Sequence, residues 1–205
     1  MGMLGKKIGM TQIIFENGKV VPVTVIDVAG NIVTAVKTND RDGYEAVQVG
    51  YGKVKKLIKP LAGLFKKNEI EAKRYMREFK DIDASAVKIG DSVTMDMLPE
   101  KVNVIGITKG KGFQGNIRRH GAGRGPMSHG SKFHRAPGSQ GGSSSPSRVF
   151  KGKKMPGRMG GVRFSAENIT VVKRDDERGL LFVKGTVPGA NGSLLKICNA
   201  PKAAK

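Results

Sequence analysis

The side chains best equipped for chemistry in this sequence are few, and they crowd together. All three histidines, His120, His129 and His134, lie within one short stretch, and a pair of imidazoles helped by a lysine is able to cleave RNA by general acid-base transfer. That chemistry needs a group to orient the rings, yet no Asp or Glu stands near them, and two-metal phosphodiester chemistry lacks its carboxylates altogether. Zinc is not expected either: His129 and His134 have no second ligand pair, and the single cysteine, Cys198, is distant in sequence. One cysteine also excludes an internal disulfide and gives no reason to invoke an oxidising compartment. The setting favours stacking on RNA, or hydrogen bonding to it, as the role of these rings.

Just ahead of them, Gly110-Lys-Gly-Phe-Gln-Gly115 satisfies G-x-G-x-x-G and follows an expected strand. A dinucleotide fingerprint would next require a helix and, about twenty residues on, an acid for the ribose. The residues from Asn116 to Pro126 are expected to be too broken by glycine for that helix, and no acid follows. Lys111-Gly-Phe113 opens like the signature of an RNA-recognition sheet, but Gln114 to Ile117 do not continue it. The better reading is that glycine lets the backbone lie against sugar-phosphate while Lys109, Lys111, Arg118 and Arg119 neutralise neighbouring phosphates. The alternative is a flexible, solvated loop. Phe113, Phe133, Phe150 and Phe164 either stack on unpaired bases or form small apolar clusters.

Charge explains why these residues belong together. The 205 residues carry 37 Lys and Arg against 17 Asp and Glu, a formal charge of +20 that calls for a polyanionic partner. From Lys101 to Ala166 there is no acid at all, against seven Lys and seven Arg. The same stretch holds 15 Gly, 8 Ser and 4 Pro, and only 11 Leu, Ile, Val or Phe, too little apolar surface to fold unaided. A polyanion would order it, as arginine-rich segments are ordered by RNA. Pro126, Pro137, Pro146 and Pro156 rule out an amphipathic membrane-surface helix, and nothing resembles a DNA recognition helix, a dimerising heptad or a zinc module. No apolar run reaches the length of a membrane span, and Met1 to Met10 reads as neither signal peptide nor anchor. The chain reads as intracellular.

The elements that must position this segment are strands. Apolar runs of strand length occur at Thr11–Phe15, Val20–Ile26, Ile32–Val36, Ala46–Tyr51, Val93–Met97, Val102–Ile107, Ile169–Val172, Leu180–Val183 and Leu194–Ile197. In two of them a period of two, as in Val47, Val49 and Tyr51 or Val93, Met95 and Met97, predicts half-buried strands. Asn17-Gly18, Gly30-Asn31, Asp42-Gly43, Asn191-Gly192 and Arg178-Gly179 supply turns with positive φ. Such punctuation implies a barrel or a sandwich. A helix is expected after Asn68, where Glu71 would complete a capping box. The basic stretch leaves one strand and returns to another, so it is an excursion moored at both ends. Folded back, its reach is at most on the order of 100 Å.

Three longer motifs carry a family likeness. Lys109-Gly-Lys-Gly-Phe-Gln-Gly115, the run from Arg118-Arg-His-Gly121 through Arg124-Gly-Pro-Met-Ser-His-Gly-Ser-Lys-Phe-His-Arg-Ala-Pro-Gly-Ser139, and Val149-Phe-Lys-Gly-Lys-Lys-Met-Pro-Gly-Arg-Met-Gly160 closely resemble the bacterial large-subunit ribosomal protein family L-three. The likeness extends to Leu4–Thr11, Asp42–Gly50 and Val183–Gly189. It implies a mainly β fold: a translation-protein-type β-barrel at 1–106 and 164–205, a small mixed insertion at about 54–83, and a long irregular basic arm at 107–163. It implies a structural, non-enzymatic constituent of the cytoplasmic ribosome that binds 23S ribosomal RNA near its 3′ end. By the same likeness it helps nucleate subunit assembly, neighbours the L-fourteen and L-nineteen families and reaches toward the peptidyl transferase centre. No cofactor, metal, membrane or small-molecule substrate is implied. The arm's candidate RNA-binding side chains are Lys109, Lys111, Arg118, Arg119, His120, Arg124, His129, Lys132, His134, Arg135, Arg148, Lys151, Lys153, Lys154 and Arg158. The tip would be about Ser139 to Phe150. The family's methylated tip glutamine falls at about Ser144, where this chain has none, and Gln140 lies four places early.

Overall fold

Burial of every second residue builds most of the strands. In the computed structural model, which describes residues 2–80 and 87–200, the strands are β1 (Met3–Ile14), β2 (Val20–Asp27), β3 (Ile32–Lys37), β4 (Ala46–Lys53), β5 (Lys73–Phe79), β6 (Lys101–Ile107), β7 (Phe113–Gln114), β8 (Gly157–Arg158), β9 (Arg163–Asp175), β10 (Leu180–Lys184) and β11 (Leu194–Asn199). Three short helices join them: α1 (Asn39–Asp42), α2 (Lys59–Lys67) and α3 (Asn116–His120). The chain separates into two units, Met1–Ile107 with Arg163–Lys205, and Thr108–Val162.

In the larger unit six strands pair antiparallel in the order β1-β11-β6-β9-β10-β2, and β2 returns to β1, which closes the ring. Closure leaves no long free edge to recruit another chain. Alternation then decides what lies inside. Val102 and Val104 of β6, Leu181 and Val183 of β10, and Leu195 and Ile197 of β11 are all fully buried. Met3 stands opposite Ile197, and Ile197 opposite Val104, so one apolar row crosses three strands. Each such side chain stabilises the fold by about 1.5–3 kcal/mol relative to exposure.

β3, β4 and β5 form a separate antiparallel sheet that shares the same core: Val33, Val47, Val49, Tyr51 and Phe79 cluster with the barrel's buried residues. β3 and β4, two of the nine expected strands, thus serve this sheet and not the ring. β4 is its central strand and buries Ala46 and Gly50 as well as Val47, Val49 and Tyr51, where half-burial is expected. A strand hydrogen-bonded on both sides has more ways to be covered than the sequence period alone reveals.

Two expectations fail. Val93–Met97 is not a strand; Met95–Met97 is a turn of 3₁₀ helix that buries Val93 and Met95 and leaves Met97 exposed. The helix lies before Asn68 and not after it. Pro60 lies in the first turn of α2, and Asn68 ends the helix, its amide donating to the Leu64 carbonyl while its side chain donates to the Thr34 carbonyl at 3.2 Å. The residues from Lys73 extend instead, because pairing with β4 sets Tyr75 beside Tyr51 and Phe79 beside Val47. Tertiary pairing outweighs a weak helical period here. Residues 81–83 of the expected insertion lie outside the described residues.

The expected turns adopt positive φ at Gly18, Gly30, Gly179 and Gly192. Gly43 does so as well, but as the C-cap of α1, so a helical turn joins β3 to β4. Asn31, read only as a turn residue, is buried and fully used: its amide nitrogen donates to the Leu4 and Val28 carbonyls, and its oxygen accepts from the Leu4 amide at 3.0 Å. A buried amide satisfied in this way ties the β2–β3 turn to β1.

Candidate nucleic-acid interface

The unit Thr108–Val162 is built almost without side-chain packing, and none of its residues is buried. Backbone bonds zip its two ends together: Thr108 N–H to the Val162 carbonyl at 2.9 Å, Lys111 N–H to Met159 at 2.8 Å, and Met159 N–H to Gly112 at 2.9 Å. The two-residue ladder β7–β8 continues them, with Phe113 opposite Arg158. Glycine is needed where the legs meet. Gly160 has φ 75°, and a Cβ there would lie 2.0 Å from the Lys109 carbonyl oxygen.

α3 follows directly, so the residues after Gly115 are less broken than expected. It is a single short turn of helix that Gly121 ends in the left-handed conformation, too brief for a dinucleotide site. Its last residues face the returning leg. Arg119 Nη1 donates to the Met155 carbonyl at 2.8 Å, and His120 Nε2 meets the same oxygen at 3.0 Å. Further out, Gly125 N–H donates to the His134 carbonyl at 3.0 Å, and His134 Nδ1 lies 2.9 Å from the Pro126 carbonyl. A carbonyl only accepts, so each of these ring nitrogens carries the proton. His129 sits in the following turn at φ 56°. His120 and His134 thus act as clasps within the unit. Sequence reasoning assigned them to RNA alone; no local pattern marks the Met155 and Pro126 carbonyls they hold.

Among the described residues no group of His, Cys, Asp and Glu is placed to hold a metal. Two ion pairs occur among the described residues, Lys37 with Glu78 and Lys73 with Glu71, and both belong to the larger unit. The Thr108–Val162 unit has twelve Lys and Arg and no acid, so its cations have no internal counter-charge. All twelve, Lys109, Lys111, Arg118, Arg119, Arg124, Lys132, Arg135, Arg148, Lys151, Lys153, Lys154 and Arg158, are exposed, while His120 and His134 are half-buried. Arg158 stands opposite Phe113 in the ladder, Arg118 and Arg119 share α3, and Arg124 and Arg135 adjoin the Gly125–His134 bond. At the expected tip the Arg148 guanidinium lies 5.5 Å from the centre of the Phe150 ring. Phe113, Phe133 and Phe150 are exposed, Phe113 by 75%, which favours stacking over local apolar clusters. Phe164, counted with them in sequence, falls in the larger unit and is also exposed. The arrangement can hold polyanion by charge, by bare backbone and by aromatic faces.

The family described as Ribosomal protein L3 matches residues 94–179. The large ribosomal subunit protein uL3 of Alkaliphilus metalliredigens (strain QYMF) is 50% identical over 208 residues, spanning 100% of this chain and 99% of that protein. That of Shouchella clausii (strain KSM-K16) is 49% identical over 204 residues, 98% of each. The chain belongs to the ribosomal protein L3 family. Membership makes it a protein of the large ribosomal subunit, and the unpaired cations of 108–162 lie within the segment that the family match covers. Among the described residues, no helix is long and apolar enough to cross a membrane.

Proposed function

We propose that this L3-family protein is a structural, non-catalytic element of the large subunit that binds 23S ribosomal RNA near its 3′ end and helps nucleate assembly. The translation-protein-type barrel sits on folded RNA beside members of the L-fourteen and L-nineteen families, and the arm at 107–163 runs through RNA toward the peptidyl transferase centre. The observation that carries this reading is the set of twelve exposed cations at 108–162, a segment with no acid and no buried residue. Nothing within that segment neutralises them, so phosphate is their counter-charge. Lys109, Lys111, Arg118, Arg119, Arg124, Lys132, Arg135, Arg148, Lys151, Lys153, Lys154 and Arg158 bind that phosphate, with His120, His129 and His134 adding ring contacts.

Nuclease footprinting of 23S ribosomal RNA tests the reading. The intact chain protects interior nucleotides, and a chain lacking 107–163 loses most of that protection. Equal footprints overturn it. Cleavage of RNA is the alternative. Two clasped imidazoles without a carboxylate predict no turnover by the intact chain or by the His120→Ala, His134→Ala variant; turnover that vanishes on substitution favours an enzyme.

A further inference from the structure

The larger unit takes in Ile107 and Arg163, the end residues of the expected arm, and holds a second set of cations outside 108–162. On the outer face of three neighbouring barrel strands, Ile105 and Ile107 of β6 form a short apolar ridge. Lys196 of β11 stands opposite Ile105 on one side, and Arg163 of β9 opposite Ile107 on the other. Strands lie about 4.8 Å apart and rise about 3.4 Å per residue, so with Lys196 level with Ile105 and Arg163 level with Ile107 the two Cα atoms lie roughly 12 Å apart across the ridge. Tyr75 and Arg77 of β5 complete a cleft of about 540 Å³ over it. An adjoining cleft of about 650 Å³ shares Ile105, Arg163 and Lys196 and adds Asn103 and Ser165, with Glu167 as the one acid in either. Lys196 donates to the Glu78 carbonyl and lies 4.4 Å from the Phe79 ring centre, and Arg163 has no ion pair among the described residues. Neither charge is cancelled by a carboxylate.

The geometry points to this cleft as a binding site for unstacked RNA nucleotides, a base lying on the Ile105–Ile107 ridge and its flanking phosphates on Arg163, Lys196 and Arg77. The inference rests on the ribosomal reading for its RNA. An apolar floor between cations matches a nucleotide, whose base is apolar on its face and whose backbone is anionic. The volume suits one or two nucleotides and not a duplex. An acidic peptide fits less well. Peptides bind sheets by adding a strand to a free edge, and the ridge lies on β6, already bonded to β9 and β11; β5, the edge strand of its own sheet, only borders the cleft through Tyr75 and Arg77. The amide of Asn103 and the hydroxyl of Ser165 offer the polar contacts that base edges use.

The test is photocrosslinking of the full chain to 23S ribosomal RNA transcribed with 4-thiouridine, with crosslinked peptides located by mass spectrometry. Crosslinks are expected on the peptides containing Tyr75 or Ile105–Ile107 as well as on the arm. The double variant Arg163→Ser, Ile107→Ser, at two exposed positions, should lower the cleft crosslinks about fivefold or more and leave those of the arm unchanged. Lys196→Met, which keeps an unbranched stem over the Phe79 ring, should act in the same direction, so a folding defect in one variant does not decide the outcome. Arm crosslinks without cleft crosslinks overturn the inference and leave the ribosomal reading standing. Absence of both overturns the ribosomal reading itself. Cleft crosslinks indifferent to all three substitutions, or protection of the cleft by another subunit protein in assembled particles, also overturn it.

Discussion

The two units of this chain treat positive charge in opposite ways. In the larger one, buried ammonium groups are answered at home: Lys73 pairs with Glu71 at 2.6 Å, and Lys7 donates to the carbonyls of Val187 and Gly189 at 3.0 and 3.2 Å. In 108–162 no cation is buried and none has an acid. A buried charge without partners costs several kcal/mol, so the first unit has to be self-sufficient to fold. An exposed charge costs little in water, and its worth is realised only when a polyanion arrives and counterions leave. The larger unit is therefore organised for stability, and the smaller for a partner.

Deleting 108–162 should break that comparison most visibly. If about ten arm cations each displace a counterion, the logarithm of affinity for ribosomal RNA falls with the logarithm of salt concentration at a slope of about −7 to −9. Joining Ile107 to Arg163 through a short Gly-Ser linker should leave a slope shallower than about −4 while the β-type circular dichroism persists. An unchanged slope would mean that the larger unit carries the electrostatics.

Paired substitutions sharpen the contrast. Leu195→Ala opens a cavity in the fully buried barrel interior and should cost about 2–5 kcal/mol of unfolding free energy in denaturant titration, with the salt slope unaltered. Phe113→Ala removes an exposed ring and should alter stability by less than about 0.5 kcal/mol. Its affinity for ribosomal RNA should nonetheless fall by about 1–3 kcal/mol. Loss of stability with unchanged affinity would assign Phe113 to a local cluster.

The legibility of the sequence follows the same division. Strands such as Val102–Ile107 and Leu194–Ile197 were readable as short apolar runs, whereas the period of two at Val93–Met97 marked a 3₁₀ turn. The opening of β1 was not, since Gly5, Lys6, Lys7 and Gly9 hide it, and neither was Lys73–Phe79, whose extended form is imposed by β4. Sequence placed all twelve exposed cations of the arm because acid-free composition survives any fold. It missed the clasps at Met155 and Pro126, which use backbone oxygens present in every residue. The cleft around Arg163 and Lys196 was equally invisible, because its members come from four strands distant in sequence. Composition and the absence of a recognition or amphipathic helix pointed to RNA among polyanions, and the resemblance to the L-three family named the ribosome.

Glycines give a finer test. Gly160→Ala meets the Lys109 carbonyl oxygen at 2.0 Å in a backbone of φ 75°, so the legs must part there, and affinity for RNA should fall severalfold with loss of the 108–114 footprint. At Gly110, Gly115 and Gly123 φ lies outside the left-handed range and a Cβ meets nothing within 4 Å. The protein itself gives no reason for glycine at these three. Alanine there should leave the free chain's hydrogen exchange unchanged and weaken RNA binding only where sugar-phosphate lies against the backbone. No effect at any of the three would remove bare backbone from the list of binding devices.

The smallest effect belongs to the larger unit. Glu78 accepts from the Lys37 ammonium and from the Tyr44 hydroxyl, and the Lys37 hydrogen bond, followed in weight by opposing desolvation, holds its carboxyl below the ordinary value of 4.5. A carboxylate held low adds stability that is complete above its unfolded value and is lost as pH falls through its folded one. The same contacts hold Lys37 above 10.5, with its Tyr44 bond the largest cause, so that group's share persists below the unfolded lysine value and fades in strong alkali. Both partners are part-exposed, which limits the pair to a small contribution. Glu78→Gln should lower the melting temperature at neutral pH by no more than about 3 °C and lose that difference as pH falls below 4.5 and through the lowered Glu78 value. A difference that instead grows toward acid would show that Lys37 and Tyr44 are not what keeps Glu78 ionised.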